Sequence, residues 1–248
     1  MRYFLELAYQ GTAYHGWQRQ PNAVSVQEIV EKALGLLLQK PIEVVGAGRT
    51  DAGVHARQLF AHFDVEEKLV REEMIFKLNS VLPIDIAVKG LFEVEKEAHA
   101  RFDALSRSYE YHIVKSKDPF SYGAAYWVKR ELDLESMDRA AALLLEHTNF
   151  KSFSRSRTDV HTYNCKIESA YWEQKKEGLV FHIKADRFLR NMVRAVVGTL
   201  LEVGLGKMKA EAIHGIIESE SRSEAGTSVP AHGLYLTKIE YPKKIFKD

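Results

Sequence analysis

The sequence predicts an α+β protein made of two successive β-α-β-β-α-β units. Three observations carry this: an alternating apolar strand at the N-terminus, two helical repeats of apolar residues in each half, and the same order of elements recurring after about residue 105. In the first half Tyr3, Leu5, Leu7 and Tyr9 fall on one face of a strand. Ser25 with Glu28 three residues later forms a capping box, and Val26, Ile29, Val30, Ala33, Leu34, Leu37 and Leu38 recur at helical spacing until Pro41 stops the run. Strands are expected at 42–47 and 59–65, a helix at 70–80 and a strand at 84–91. The second half offers a strand at 107–114, then a helix at 135–147 with Met137, Ala140, Ala141, Leu144 and Leu145 on one face. Strands at 166–173 and 179–185 turn around Glu177-Gly178, and an amphipathic helix at 189–203, a short helix in 207–219 and a last strand at 234–241 follow. Each half therefore has the ferredoxin-like order, in which helices cover one face of an antiparallel sheet. A boundary in 98–105 divides the chain into an N-terminal subdomain, 1–104, and a C-terminal one, 105–248.

With 248 residues, 46% of them hydrophobic, the chain can bury a substantial core. No apolar stretch approaches bilayer length, and no segment has the pattern of a signal peptide, so no membrane association is expected. A single cysteine, Cys165, excludes an internal disulfide framework and points to a reducing, cytoplasmic setting. The net charge of +1 means that any basic surface must come from arrangement. Acidic residues gather in 64–73, 93–97, 131–135 and 218–224, whereas Arg49, Arg57, Arg101, Arg107, Arg155, Arg157, Arg187, Arg190 and Arg194 fall on or beside the motifs below. The histidines show no H-x-x-x-H, H-E-x-x-H or paired-cysteine spacing, so no metal is expected. A Walker loop is absent, and the spacing of Gly46, Gly48 and Gly53 does not fit a dinucleotide fingerprint.

The most informative segment is Gly48-Arg49-Thr50-Asp51-Ala52-Gly53-Val54-His55-Ala56. It places an acid two residues after an arginine, between glycines that let the backbone turn, directly after an apolar run. Read by residue type alone, Arg-x-Asp in a loop is more often an incidental surface ion pair. Further on, Arg190 and Arg194 lie four apart beside the stripe Leu189, Met192, Val193, Val196, Val197, Leu200 and Leu201, as snorkelling arginines also would. In Arg107-Ser108-Tyr109-Glu110-Tyr111, alternation puts Arg107, Tyr109 and Tyr111 on one strand face.

Taken whole, the nonapeptide resembles the catalytic motif of the TruA family of tRNA pseudouridine synthases, whose aspartate is essential; matched so, Asp51 is the catalytic residue. The segment Phe188-Leu189-Arg190-Asn191-Met192-Val193-Arg194 is similar to a family motif whose arginine pairs with that aspartate, which implies Arg194 as partner and Arg49 as a local second cation. The stretch around Tyr109 resembles one in which the first tyrosine stacks on the target base. Tyr9-Gln10-Gly11-Thr12-Ala13-Tyr14-His15-Gly16-Trp17-Gln18 is similar to the N-terminal family motif, with Gln10 where aspartate is usual; His99-Ala100-Arg101-Phe102 and Gly233-Leu234-Tyr235-Leu236 also fit. The resemblance implies Trp17, Gln18, His55, Tyr109, Arg155, Arg157, Arg190 and Leu234 as substrate-contacting residues, His55 serving its own loop rather than a metal. The 152–165 loop departs from the family, lacking a proline near Asp159 and an arginine near His161.

The implied fold joins two RNA-recognition-like units into one antiparallel sheet with a central cleft. The implied activity is conversion of uridine to pseudouridine at positions 38, 39 and 40 of the tRNA anticodon stem-loop, by a homodimer. Such an isomerisation has no net redox change and needs no cofactor. It needs a carboxylate able to attack C6 of a flipped-out uracil or C1′ of the sugar, or to shift a proton at C2′. Two other readings stand beside it: a non-catalytic RNA-binding protein of the same fold, and a metal-dependent nuclease using Asp51, for which no further carboxylate occurs before Asp64.

Overall fold

A computed structural model describes residues 1–155 and 160–247. The chain is α+β and its strands pair mostly antiparallel. It divides into two compact units, Met1–Leu105 with Leu236–Asp248, and Ser106–Tyr235.

In the first unit the elements run β1 (Arg2–Tyr9), α1 (Val26–Leu38), β2 (Val45–Gly46), β3 (His55–Asp64), α2 (Arg71–Val81) and β4 (Ile86–Val94). β1 lies antiparallel between β3 and β4, and β2 pairs with β3. The expected strand at 42–47 shortens to two residues, because the chain there turns into the Asp51 loop. Helix α1 starts where the capping box places it: the Ser25 hydroxyl accepts from Glu28 N–H at 3.3 Å. Its Val26, Val30, Ala33 and Leu34 are buried.

β1 is buried on both faces rather than one. Alternation assigns it a single apolar face, yet Phe4, on the opposite side, is also fully buried. Its ring meets Tyr241 edge-on at 5.1 Å and Phe246 at 6.0 Å, while Phe60 meets Tyr241 at 5.3 Å and Phe92 meets Phe246 at 5.7 Å. This aromatic cluster draws the C-terminal residues, counted with the second half by their position in the chain, into the first unit, where β9 (Leu234–Glu240) runs beside β3.

The same unit buries His62, only 5% exposed. Its Nδ1 accepts from Ala100 N–H at 3.1 Å, and its ring meets His99 at 4.6 Å. Burial, aided by the Arg2 charge, pushes its pKa from 6.5 down to about 4. The unfolded chain thus takes up this proton near pH 6.5, and the folded unit does so only near pH 4. The stability His62 confers is complete above the first value and is lost as pH falls toward the second, by at most about 3 kcal/mol. Melts between those limits should show Tm falling with pH, and His62→Gln should flatten the fall; an unaltered slope in the variant would assign it to other groups.

The second unit contains β5 (Ser106–Val114), the short β6 (Tyr126–Trp127), α3 (Leu134–Leu143), β7 (Ile167–Gln174), β8 (Gly178–Ala185), α4 (Met192–Gly204) and α5 (Ala212–Glu218). β8 lies antiparallel between β5 and β7, and β6 adds to β5 in parallel. α4 is buried along almost its whole length, as its near-continuous apolar sequence requires. Gly198 makes one side of that burial possible. A side chain there would lie 1.9 Å from the Thr227 carbonyl oxygen, so only glycine lets the 225–229 segment run along the helix. Thr199 Oγ1 accepts from Gly226 N–H at 2.8 Å and donates to Ala195 C=O at 3.0 Å, fixing that approach.

Candidate active site

Asp51 sits half-buried in a turn between β2 and β3. The turn is held by the 9–16 segment through backbone and buried polar groups. Gly53 N–H donates to Tyr14 C=O at 3.2 Å, and Val54 N–H closes the turn onto Asp51 C=O at 3.2 Å. Thr50 Oγ1 accepts from Trp17 N–H at 3.1 Å and is 2.9 Å from the Tyr9 hydroxyl. Gly11 N–H donates to Nδ1 of His55 at 3.0 Å, and the Tyr14 hydroxyl donates to Asp85 at 2.5 Å. Gly16 has φ +87°, and a side chain on it would stand 2.2 Å from the Thr50 carbonyl oxygen. Of the glycines flanking Asp51, Gly53 adopts positive φ, 79°, whereas Gly48 does not and faces open space.

The N-terminal motif thereby acquires a physical role as the bed on which the Asp51 turn rests. Trp17 is 2% exposed and stacks on Tyr9 at 6.4 Å, so it packs rather than presenting its indole outward. His55 is buried, with Nδ1 turned to the Gly11 amide. Gln18 is exposed. Arg49 is exposed and makes no hydrogen bond or ion pair among the described residues; the structure does not bring its guanidinium onto Asp51. The supporting roles of Thr50, Tyr9, Gly11 and Gly16 do not follow from sequence alone, although all but Thr50 belong to the N-terminal motif and Thr50 sits next to the acid.

In the second unit, Arg194 lies in the first turn of α4 and is half-buried. Its Nε donates to Val229 C=O at 2.8 Å, and its own carbonyl accepts from Val229 N–H at 3.1 Å. The segment that Gly198 admits therefore holds Arg194 through both its side chain and its backbone. Pro230, next in line, accepts from the Tyr111 hydroxyl at 2.8 Å, which ties the segment to β5. Burial raises the Tyr111 phenol far above its usual pKa. Tyr109, two residues earlier on β5, is half-buried, with Phe188 edge-on to its ring at 5.0 Å and 84°. Phe188, which opens the Arg194 motif, sets the tilt of that ring. Leu234 is buried, 6% exposed, at the start of β9.

Arg190 and Arg194 do not share a helical flank. Asn191 has left-handed φ, 66°, and the helix begins after it, so Arg190 stands in the preceding turn. There its carbonyl accepts from Arg155 N–H at 3.1 Å, which brings these two exposed arginines to one place on the second unit. Arg157 lies outside the described residues. Among the described residues no three of His, Cys, Asp and Glu gather as a metal centre would require, and no helix is long and apolar enough to cross a membrane.

Asp51 is thus a half-buried carboxylate of the first unit, and Arg194 a half-buried arginine of the second. The profile of a family described as tRNA pseudouridine synthase matches residues 7–103 and 140–242, which include Asp51 and Arg194. A Parabacteroides distasonis protein named tRNA pseudouridine synthase A is 50% identical over 248 residues, covering 99% of this chain and 98% of its own. The Bacteroides fragilis protein of that name is 52% identical over 248 residues, with 99% and 98% covered. Its Acetivibrio thermocellus namesake is 41% identical over 239 residues, with 96% and 98% covered. The chain belongs to the tRNA pseudouridine synthase family.

Proposed function

We propose that this protein isomerises uridine to pseudouridine at positions 38, 39 and 40 of the tRNA anticodon stem-loop, with Asp51 as the acting carboxylate. Membership of the family makes it an isomerase acting on tRNA; the positions and the residue roles are our proposal. The observation that carries it is the Asp51 turn, which Thr50, Gly53 and His55 hold against the N-terminal segment and which thereby places the acid. In the proposed reaction the N1–C1′ bond breaks, the uracil turns, a C5–C1′ bond forms, C5 loses its proton and N1 gains one. Atoms and electrons balance without a cofactor.

Tyr109 supplies the ring on which the extruded base stacks, extrusion itself costing on the order of a few kcal/mol. Arg194 supplies the positive charge with which the acting carboxylate pairs. Arg49, Arg155 and Arg190 are exposed and suit phosphate oxygens. The order of elements in each half supports two ferredoxin-like units. A homodimer in the cytoplasm, one tRNA reaching both subunits, completes the reading.

Purified protein mixed with tRNA carrying C5-tritiated uridine is expected to release tritium, with pseudouridine mapping to positions 38, 39 and 40. Binding without any release is what the RNA-binding reading requires. Arg194→Ala is expected to lower the single-turnover rate roughly 10²-fold and to leave tRNA affinity nearly intact. Equal losses in rate and affinity would make Arg194 a phosphate contact instead.

A further inference from the structure

One arginine of the second unit belongs to none of the motifs above and is nonetheless tied to Arg194. Arg222 follows α5, inside the acidic run 218–224, where a surface ion pair would be the ordinary expectation. Among the described residues it forms no such pair; the Glu220 carboxylate accepts instead from Asn149 at 2.8 Å and from Lys151 at 2.9 Å. The Arg222 guanidinium is half-buried and donates to neutral oxygens. Its Nη1 donates to Ala225 C=O and to Gly226 C=O, each at 3.1 Å, and its Nη2 donates to Ser228 Oγ at 2.9 Å. Burial lowers its pKa, with no carboxylate to offset the effect.

A charge so placed has a structural use. Residues 221–230 form neither helix nor strand, and Ala225 and Gly226 are buried, so their carbonyls have no ladder to bond to. A planar guanidinium offers several N–H donors in a fixed fork, and one such group can close a loop of this kind. The loop it closes is the one that grips Arg194. Val229 C=O accepts from Arg194 Nε at 2.8 Å, and Val229 N–H donates to Arg194 C=O at 3.1 Å. A second route runs through Ser228, whose hydroxyl oxygen also accepts from Asn191 Nδ2 at 2.6 Å. Asn191 is the left-handed residue before α4, and its carbonyl accepts from Ala195 N–H at 3.1 Å as the helix opens. Arg222 thus reaches both the acceptor of the Arg194 side chain and the start of the helix that carries it.

We infer that Arg222 is a positioning residue for Arg194, setting the place of that guanidinium through the 225–229 segment without itself meeting the substrate. The inference rests on the proposed role of Arg194 for its effect on the reaction, and on the hydrogen bonds alone for its geometry.

Two measurements on the full chain test it. In nuclear magnetic resonance spectra the Arg194 Nε–H signal, assigned by its loss in Arg194→Lys, is expected to shift and to exchange faster with water in Arg222→Ala and in Ser228→Ala. Ser228→Ala is the milder change, since it leaves both bonds from Arg222 to backbone carbonyls in place. A signal unaltered in Arg222→Ala, or in Ser228→Ala should Arg222→Ala not fold, would overturn the inference. In single-turnover assays Arg222→Ala is expected to lower the rate between about 10- and 100-fold, with tRNA affinity unaltered, and to lower it no further when Arg194 is already alanine. Equal costs in both backgrounds would show that Arg222 acts by a path without Arg194, and an affinity loss as large as the rate loss would make it an RNA contact; either result would overturn the inference. A displaced Arg194 signal together with parent turnover by Arg194→Ala would keep Arg222 as its support and remove Arg194 from the reaction.

Discussion

Replacing Gly16 with alanine is expected to damage the protein twice over. The residue has φ +87°, a region where a side chain costs about 1–3 kcal/mol in backbone strain. That cost would come with a collision, because the new methyl would stand 2.2 Å from the Thr50 carbonyl oxygen. Backbone oxygen cannot swing aside as a side chain does, so Thr50 and with it Asp51 must move. Movement by about 1 Å at a reacting group lowers turnover about 10²-fold. Thermal melts of Gly16→Ala should show a lower Tm, and single-turnover pseudouridine formation should fall by that factor. Thr50→Val is the control, since it keeps the shape and removes the hydrogen bonds to Trp17 N–H and the Tyr9 hydroxyl. It should lower the rate with a smaller loss of stability. If Gly16→Ala melted and turned over as the parent does, the 9–16 segment would not be what positions the acid.

Much of the fold could be read from periodicity. The strand at 2–9, the capped helix after Ser25, the strand at 106–114 and the helices near 134 and 192 all announce themselves by apolar spacing of 2 or 3.6. What escaped were features set by approach in space. The burial of Phe4 depends on Tyr241 and Phe246, more than two hundred residues away, and no local pattern reports it. The helix containing Arg194 starts late because Asn191 takes a left-handed conformation, which the sequence of apolar residues does not reveal. The strand at Val45–Gly46 is short because the chain must leave the sheet to form the Asp51 turn.

The site was legible in a different way. Its acid was conspicuous only as part of a long motif, since Arg-x-Asp by itself fits any surface turn. The supports were hidden in plain view: Tyr9, Gly11 and Gly16 stood in the N-terminal motif, but their role emerges only when Thr50 and His55 are seen against them. Arg49 shows the limit of neighbourhood in the chain. Two residues from Asp51, it is exposed to solvent, because nearby positions in a tight turn do not face one another.

Asp51→Asn is the change with the largest expected effect on chemistry and almost none on structure. The amide is isosteric with the carboxylate, and Thr50, Gly53, Val54 and His55 supply hydrogen bonds that hold the turn. The variant should therefore keep its Tm and its affinity for tRNA. An amide is a feeble nucleophile and a feeble base, so each of the three routes open to the carboxylate is closed to it. The most direct measurement of Asp51 as the acting group is single-turnover pseudouridine formation by Asp51→Asn, with tRNA affinity measured on the same preparation. A rate lowered by roughly 10³-fold or more with unaltered affinity is the expected result; pseudouridine appearing at the parent rate would contradict it.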